Sequence, residues 1–236
     1  WENFLNIRKV RKLSLHTKAV LLTSAALTVG GTLFYLLAEW NGALGEMNFG
    51  GKLLNAFFSS VTARTAGFNS VTIDDLSDFS QLGTCILMFV GASPASTGGG
   101  IKTTTLLVLI MTVVSYMQSK NDVEIMKHKI DKLAVYRTLT VTLLSLTAVI
   151  LCFSVLYFTL PEDGRGVQCL FEAVSAFSTS GLSAGITEIS GTPGRILLII
   201  TMFIGRVGPV SLVLSMLVNS AKRKNIVYPD GQIIVG

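Results

Sequence analysis

The chain has 236 residues, of which half are hydrophobic and only 14% are charged, and its mean hydropathy is +0.61. Because a soluble domain normally carries about a quarter charged residues, this composition excludes an ordinary soluble protein and indicates an integral membrane protein. The net charge of +5 does not indicate a nucleic-acid partner, because most of the 19 basic residues fall in three stretches, 8–18, 120–137 and 222–224, separated by acidic loops.

That alternation of basic and acidic stretches follows the positive-inside rule and predicts that the basic stretches and the C-terminus are cytoplasmic. Residues 1–18 form a basic, amphipathic lead-in that we place at the inner membrane surface. Residues 19–37 are long enough to cross a hydrocarbon core of about 30 Å and form the first predicted span. Residues 53–62 are apolar but too short to cross, which predicts a re-entrant or buried helix.

The next apolar stretch, 81–117, is 37 residues long, and a straight helix of that length would reach about 55 Å. The sequence GASPASTGGGIK at 91–102 interrupts it with a proline and three successive glycines, which a continuous helix disfavours. We therefore predict two helices joined by a non-helical loop within the membrane. Such a loop is tolerated only inside the protein or beside a water-filled cavity.

The second half of the chain repeats this order of segments. A charged linker at 118–137 precedes a full span at 138–160, a short apolar segment at 167–177 and a last span at 193–219, and residues 221–236 form a basic tail. We group the chain into a first repeat at 19–117 and a second repeat at 138–220.

One gapless register relates the two halves. At an offset of 114 residues, Thr65 aligns with Thr179, Gly67 with Gly181, and Gly91 with Gly205. Chance similarity between two apolar sequences is the alternative, but it does not account for one register through several motifs. Both copies start from the same side, so the sequence predicts an all-α membrane protein of two parallel helix–pore-loop–helix repeats rather than inverted ones.

The stretches TAGFN and TSGLS, which follow the two short segments, are candidate quarters of a cation selectivity filter. A short helix that ends inside the membrane directs about half a negative charge inward, and carbonyl groups after it can replace an ion's hydration shell. Glycine permits the positive φ and close approach that such a strand needs. The alternative is a glycine that simply ends a helix. The predicted K⁺ ligands are Thr65, Ala66, Gly67, Phe68, Thr179, Ser180, Gly181 and Leu182.

Acidic residues follow both stretches, namely Asp74, Asp75, Asp78 and Glu188. They would raise the local cation concentration, or they belong to ordinary solvated loops.

The interrupted stretch is the candidate gate, formed by Ser96, Thr97, Gly98, Gly99, Gly100 and Lys102 together with Arg206. A phosphate-binding glycine loop is the alternative interpretation of this stretch. It does not match, because Ile101 separates the glycines from Lys102 and the surroundings are membrane spans. An arginine at mid-span costs about 2.5–3.5 kcal/mol on insertion scales. We therefore expect Arg206 beneath the filter, near the glycines, as an electrostatic barrier.

The motifs TARTAGFNS, GASPASTGGGIKTTT and FSTSGLS followed by IGRVGPVS resemble the Trk/Ktr/HKT potassium transporters. The resemblance covers nearly the whole chain and is nearest to the bacterial Ktr membrane subunit. It implies a plasma-membrane pore of four repeats with Gly67 and Gly181 as filter glycines, residues 92–102 as the gate, and Arg206 as the family's arginine. It also implies a homodimer on a ring of cytoplasmic nucleotide-binding regulatory subunits, K⁺ uptake that is often coupled to Na⁺, and no covalent cofactor.

The chain departs from that pattern because it has two repeats instead of four. It starts with Trp1 rather than methionine, which favours the C-terminal half of a longer protein, whose N-terminal half supplies the other repeats. The alternatives are a two-repeat cation channel that assembles as a dimer and a non-transporting membrane scaffold for a cytoplasmic partner. An enzyme is not expected, since no nucleophile–base pair or metal cluster is evident.

Overall fold

The computed structural model describes residues 13–94, 96–120, 122–160 and 165–208, and most of these residues are helical. The predicted lead-in up to residue 12, the end of the last span and the basic tail lie outside the described residues. The helices are α1 (Leu15–Ala38), α2 (Phe49–Thr62), α3 (Asp78–Phe89), α4 (Thr103–Met117), α5 (Lys132–Thr159), α6 (Gly166–Ser178), α7 (Ile186–Ile189) and α8 (Gly191–Val207). A 3₁₀ turn, Ile73–Asp75, precedes α3, and strands β1 (Glu124–Ile125) and β2 (His128–Lys129) form an antiparallel hairpin between α4 and α5.

Helices α1 and α5 are long and apolar enough to cross a membrane, with 24 and 28 residues and mean hydropathies of 1.8 and 2.4. Both begin several residues before the apolar spans predicted from the sequence. Hydropathy marks the place where a helix enters lipid, whereas the helix itself continues through polar residues such as Lys18 and Arg137. At the start of α1 the hydroxyl of Ser14 accepts the backbone N–H of Thr17 and caps the helix.

The long apolar stretch of the first half is interrupted, with α3 ending at Phe89 and α4 beginning at Thr103. The Ile101 N–H donates to the Phe89 carbonyl at 3.1 Å, so the two ends of the segment between α3 and α4 lie next to each other. In the second half, α8 covers the predicted last span up to Val207, Gly208 has a φ of 88°, and residues 209–219 lie outside the described residues. The pair Gly208-Pro209 accounts for the end of α8, since glycine readily adopts positive φ and a proline disfavours helix in the residue before it.

The two short helices have very different surroundings. Helix α6 packs against α3, α5 and α8, and every residue from Phe171 to Ser178 is buried. Helix α2 packs against α1, while Phe49, Leu54 and Phe57 on its other side are 67%, 68% and 50% exposed. An apolar face of α2 is thus left uncovered by the described residues.

Glycines let helices approach the short helices closely. A Cβ on Gly31 of α1 would lie 2.3 Å from Ser60 Oγ of α2, and a Cβ on Gly205 of α8 would lie 1.7 Å from the Phe177 carbonyl oxygen of α6. These contacts bring each short helix against the backbone of a longer one.

A buried carboxylate joins the ends of α1 and α3. Glu39, which is 2% exposed, accepts the Ala43 N–H at 3.1 Å, the Ser77 N–H at 3.0 Å and the Ser77 hydroxyl at 2.6 Å. Ser77 also caps α3. Burial by itself raises the pKa of Glu39, but the hydrogen bonds from Ser77, Ser80 and the two backbone N–H groups outweigh it and hold the pKa below its ordinary value of 4.5.

We expect Gly205→Ala to destabilise the protein by about 1–3 kcal/mol or more, because the added methyl group meets a backbone carbonyl that cannot move without α6. The matched control is Gly30→Ala in α1, where a Cβ meets nothing within 4 Å and alanine favours the helix. Thermal unfolding of each purified variant in detergent measures the change in stability. Equal melting temperatures for the two variants would contradict the close packing of α8 on α6.

Glu39→Ala should lower stability by about 1–3 kcal/mol at neutral pH, because it leaves buried N–H donors without an acceptor. Glu46→Ala, at an exposed position, is the control. Since the folded pKa of Glu39 lies below its ordinary value of 4.5, the stabilisation is present above that value and is lost as the pH falls through the folded pKa. The difference in melting temperature between wild type and Glu39→Ala should therefore narrow below about pH 4. A difference in melting temperature that stays constant down to pH 3 would argue against an ionised Glu39 that joins α1 and α3.

Candidate functional site

Two loops follow the two short helices, the first glycine loop (residues 63–72) and the second glycine loop (residues 179–185). They contain the predicted K⁺ ligands and share positive φ at two aligned positions. Thr65 and Gly67 have φ values of 77° and 75°, and Thr179 and Gly181 have values of 53° and 85°. Positive φ is ordinary for glycine but uncommon for a β-branched residue, for which it costs about 1–3 kcal/mol. The sequence predicted it for the glycines and not for the threonines.

This alternation affects where the peptide groups point. In an extended strand successive carbonyl groups point to opposite sides. Turning every second residue into the left-handed region brings successive N–H groups to one side and carbonyl groups to the other. Each loop is thereby able to direct a short row of carbonyl oxygens to a single side.

The two loops touch at their glycines. A Cβ on Gly67 would lie 2.6 Å from the Ser180 carbonyl oxygen and 3.3 Å from Gly181 Cα, and a Cβ on Gly181 would lie 3.4 Å from Gly67 Cα. No side chain fits at Gly67 without moving the opposite backbone. The equivalent motifs found 114 residues apart in the sequence are therefore neighbours in space.

A hydroxyl near the end of each short helix holds the following loop. Thr62 Oγ1 donates to the Phe68 carbonyl at 2.6 Å and accepts the Phe68 N–H at 2.9 Å. Ser175 Oγ donates to the Leu182 carbonyl in the second loop. The carbonyl oxygens of Phe68 and Leu182, both predicted as ion ligands, are thus engaged by the protein's own hydroxyls.

The non-helical segment at 90–102, which we call the glycine segment, lies against both loops. The Gly99 N–H donates to Thr179 Oγ1 at 2.9 Å. A Cβ on Gly98 would lie 2.8 Å from Thr65 Oγ1, and one on Gly99 would lie 2.9 Å from the Phe177 and Ser178 carbonyl oxygens. The segment therefore reaches the threonine of each loop, and only glycine fits at the points of contact.

The other candidate gate residues lie around this contact. Gly100 has a φ of 71°, Ser96 and Thr97 are exposed, and Lys102 Nζ donates to the Gly98 carbonyl. Arg206 is exposed in the last turn of α8, close enough to Lys102 for their charges to repel each other. Arg206 thus lies at a helix C-terminus, where the helix dipole favours a cation, and not in the middle of a continuous span as expected. The predicted acidic residues Asp74, Asp75, Asp78 and Glu188 are all exposed.

Sequence reasoning missed two charged residues beside the loops. Arg64 lies at the start of the first glycine loop, two residues after the end of α2. Its guanidinium donates to Thr28 Oγ1 of α1, and its buried Nε has no partner among the described residues. Glu172 lies within α6 and is 5% exposed. A charge inside an apolar segment is the signal that could have identified Glu172, since intramembrane ionisable residues are commonly functional.

Comparison with known proteins identifies the family of the chain. The profile of the TrkH family, described as a cation transport protein, matches residues 4–226. The chain is 36% identical over 231 residues to the Ktr system potassium uptake protein B of Bacillus subtilis, covering 97% of this chain and 51% of that protein. It is 35% identical over 240 residues to the potassium/sodium uptake protein NtpJ of Enterococcus hirae, covering 100% of this chain and 53% of that protein. These relatives are transporters and not enzymes.

The fold is also known from a solved structure. The potassium transporter TrkH from Vibrio parahaemolyticus matches with a TM-score of 0.64 at 19% identity, over 84% of this chain and 43% of that one. The chain spans about half the length of the curated relatives it matches. The match of the family profile across nearly the whole chain establishes that this all-α membrane protein belongs to the TrkH family of cation transport proteins.

Proposed function

We propose that the chain forms half of a potassium-conducting pore in a bacterial plasma membrane, with the two glycine loops as two quarters of its selectivity filter. The observation that carries the proposal is the shared backbone of the loops, with positive φ at Thr65, Gly67, Thr179 and Gly181, together with their contact at the two glycines. The names of the relatives, which are potassium uptake proteins, support K⁺ as the transported ion.

The bounds of the elements support two parallel repeats. Helix α6, Gly166–Ser178, lies 114 residues after positions 52–64 and so corresponds to α2, Phe49–Thr62. By the same offset α5 corresponds to α1, α7 to the 3₁₀ turn and α8 to α3. Two copies of one unit suit a pore with rotational pseudo-symmetry, in which each copy contributes an equivalent strand of the filter.

In this pore the ion ligands are the carbonyl groups of Thr65, Ala66 and Gly67 and those of Thr179, Ser180 and Gly181, with the threonine hydroxyls at the inner end. Phe68 and Leu182 have an anchoring role, because their carbonyl groups are held by Thr62 and Ser175. The C-terminal ends of α2 and α6 point about half a negative charge each toward the region below the loops. Carbonyl oxygens and helix ends together offset the loss of the hydration shell of K⁺.

The glycine segment is the gate in this proposal. Its Gly98 and Gly99 lie against Thr65 and Thr179, directly below the proposed ligands. The cations Lys102 and Arg206 add an electrostatic barrier on the same side. Opening requires the segment to leave the threonines, which costs the hydrogen bond between Gly99 and Thr179.

The other half of the pore must come from outside this chain. The uncovered apolar face of α2 supports a neighbouring repeat of the same kind, and relatives of twice the length favour the N-terminal half of the same protein. We also propose homodimers and cytoplasmic nucleotide-binding regulatory subunits, contacted through the hairpin and the basic linker. Na⁺ is the candidate coupling ion, because one relative is named a potassium/sodium uptake protein.

The filter is tested by Gly67→Asp and Gly181→Asp in the intact transporter. Each side chain would enter a backbone contact that has no room for it at a positive φ, so K⁺ uptake should fall by more than about tenfold, which corresponds to a barrier rise above about 1.4 kcal/mol. Gly185→Asp is the control, because Gly185 also has a positive φ of 77° but nothing within 4 Å of its Cβ position. Rubidium uptake into proteoliposomes, with and without competing Na⁺, is the measurement. Unchanged uptake and K⁺/Na⁺ preference in both filter variants would refute the filter.

The gate is tested by deleting residues 98–100. Without these glycines the segment cannot reach Thr65 and Thr179, so we expect a higher rubidium flux at an unchanged content of protein in the membrane. Arg206→Ala, which removes the cation below the segment, should also raise flux, and Gly30→Ala in α1 should leave it unaltered. Unchanged or reduced conductance in the deletion and in Arg206→Ala would exclude a gating role.

A further inference from the structure

A buried carboxylate lies directly behind the second glycine loop. Glu172 of α6 is 5% exposed. Its two oxygens lie 3.1 and 3.2 Å from Ser183 Oγ, which donates to them, and they also accept the Ala184 N–H at 3.1 Å and the Thr187 hydroxyl. All three donors belong to the segment that follows Gly181. The carboxylate is therefore held by the residues that directly follow the proposed ion ligands of the second glycine loop.

No described cation neutralises this carboxylate. The ion pairs among the described residues are Lys120–Glu124 and Lys129–Asp122, both at the hairpin. Burying a charge without a partner is expensive, and hydrogen bonds from two hydroxyls and one N–H reduce that cost without removing the charge. A negative charge in an apolar setting is screened little by salt and acts over a longer distance than an exposed one.

The first repeat shows that the loop shape does not need this carboxylate. The position 114 residues before Glu172 is Phe58, whose side chain is 37% exposed. The first glycine loop nevertheless has positive φ at Thr65 and Gly67, as the second has at Thr179 and Gly181. Glu172 is therefore a feature of one repeat, and its effect is to make the surroundings of the two loops electrostatically unequal.

We propose that Glu172 is a fixed negative charge that raises the cation affinity of the second glycine loop. This inference rests on the proposed function, because it assigns a determinant of affinity to the same filter. Glu172 acts on the ion through space and does not touch it. Its hydrogen bonds to Ser183, Ala184 and Thr187 keep the charge buried behind the loop.

Two substitutions distinguish an electrostatic role of Glu172 from a purely structural role, because one removes the charge and the other removes a hydrogen bond. Glu172→Gln removes the charge and can keep the contacts, since its oxygen can accept the Ala184 N–H while its NH₂ group donates to the hydroxyls. Thr187→Val keeps the charge and removes one donor. Glu188→Gln is the control for charge, because Glu188 belongs to the following helix α7 but is exposed to solvent.

The experiment uses the intact transporter in proteoliposomes and measures initial rubidium uptake against rubidium concentration. Glu172→Gln should raise KM about three- to tenfold, as expected for the loss of one poorly screened charge near the ion, and should leave the maximal rate within about twofold of wild type. Thr187→Val and Glu172→Asp, which retain the charge, should keep KM within about twofold of wild type, and Glu188→Gln should do the same because an exposed charge is screened.

An unchanged KM in Glu172→Gln overturns the inference, and so does an equal rise in Glu172→Gln, Glu172→Asp and Thr187→Val, which would indicate bracing. If Glu172→Gln does not accumulate, Glu172→Asp and Thr187→Val still test the inference, because a rise of KM in both contradicts an effect of charge alone. If Gly67→Asp and Gly181→Asp lose uptake while Glu172→Gln has the KM of wild type, this inference is refuted and the proposed function is retained. A wild-type protein that transports no rubidium refutes both.

Discussion

The contact between Gly67 and Gly181 is the constraint on which the surrounding structure depends. A methyl group at Gly67 would meet the Ser180 carbonyl oxygen at 2.6 Å, so the two loops can meet only as bare backbone. Backbone groups that meet in an apolar region need partners, and the structure provides them from behind through Thr62, Ser175 and Glu172. These hydrogen bonds hold the residues that follow Thr65 and Thr179, the two threonines with positive φ.

The same exclusion of side chains extends below the loops. Gly98 and Gly99 meet the two threonines, Gly91 lies so close to Gly99 that a Cβ would come within 2.0 Å of its carbonyl oxygen, and Gly205 meets the Phe177 carbonyl. These glycines lie on the glycine segment and on α8, and those at positions 91, 99 and 205 permit a backbone–backbone approach. Gly98 and Gly99 of the glycine segment are therefore packed closely against the two loops.

Much of this arrangement was predictable from local sequence. Three sequence patterns each predict one structural feature. Apolar segments too short to cross a membrane predict short helices, and glycines at a fixed offset of 114 residues predict two equivalent loops. A proline with three glycines in an apolar run predicts a break between two helices. The rest depends on tertiary contacts that no local pattern contains. The Gly99 N–H bonds to Thr179, which is 80 residues away in sequence. Helix α8 ends at Val207 although the apolar sequence continues beyond it. The burial of Glu172 depends on three donors from residues 183–187. The hairpin between α4 and α5 is too short to produce an alternating pattern.

The difference in burial between the two short helices, α6 and α2, has a consequence for assembly. Helix α6 is enclosed because α3, which belongs to the preceding repeat, packs against it, whereas α2 has an exposed face in the corresponding place. In the proposed pore, contacts between repeats are therefore head-to-tail, and a head-to-tail series is complete only when it closes into a ring. A pair of such repeats would have one unmatched surface at each end. A second pair of repeats, turned by half a revolution about the pore axis, would satisfy both surfaces with the interface already present between α3 and α6.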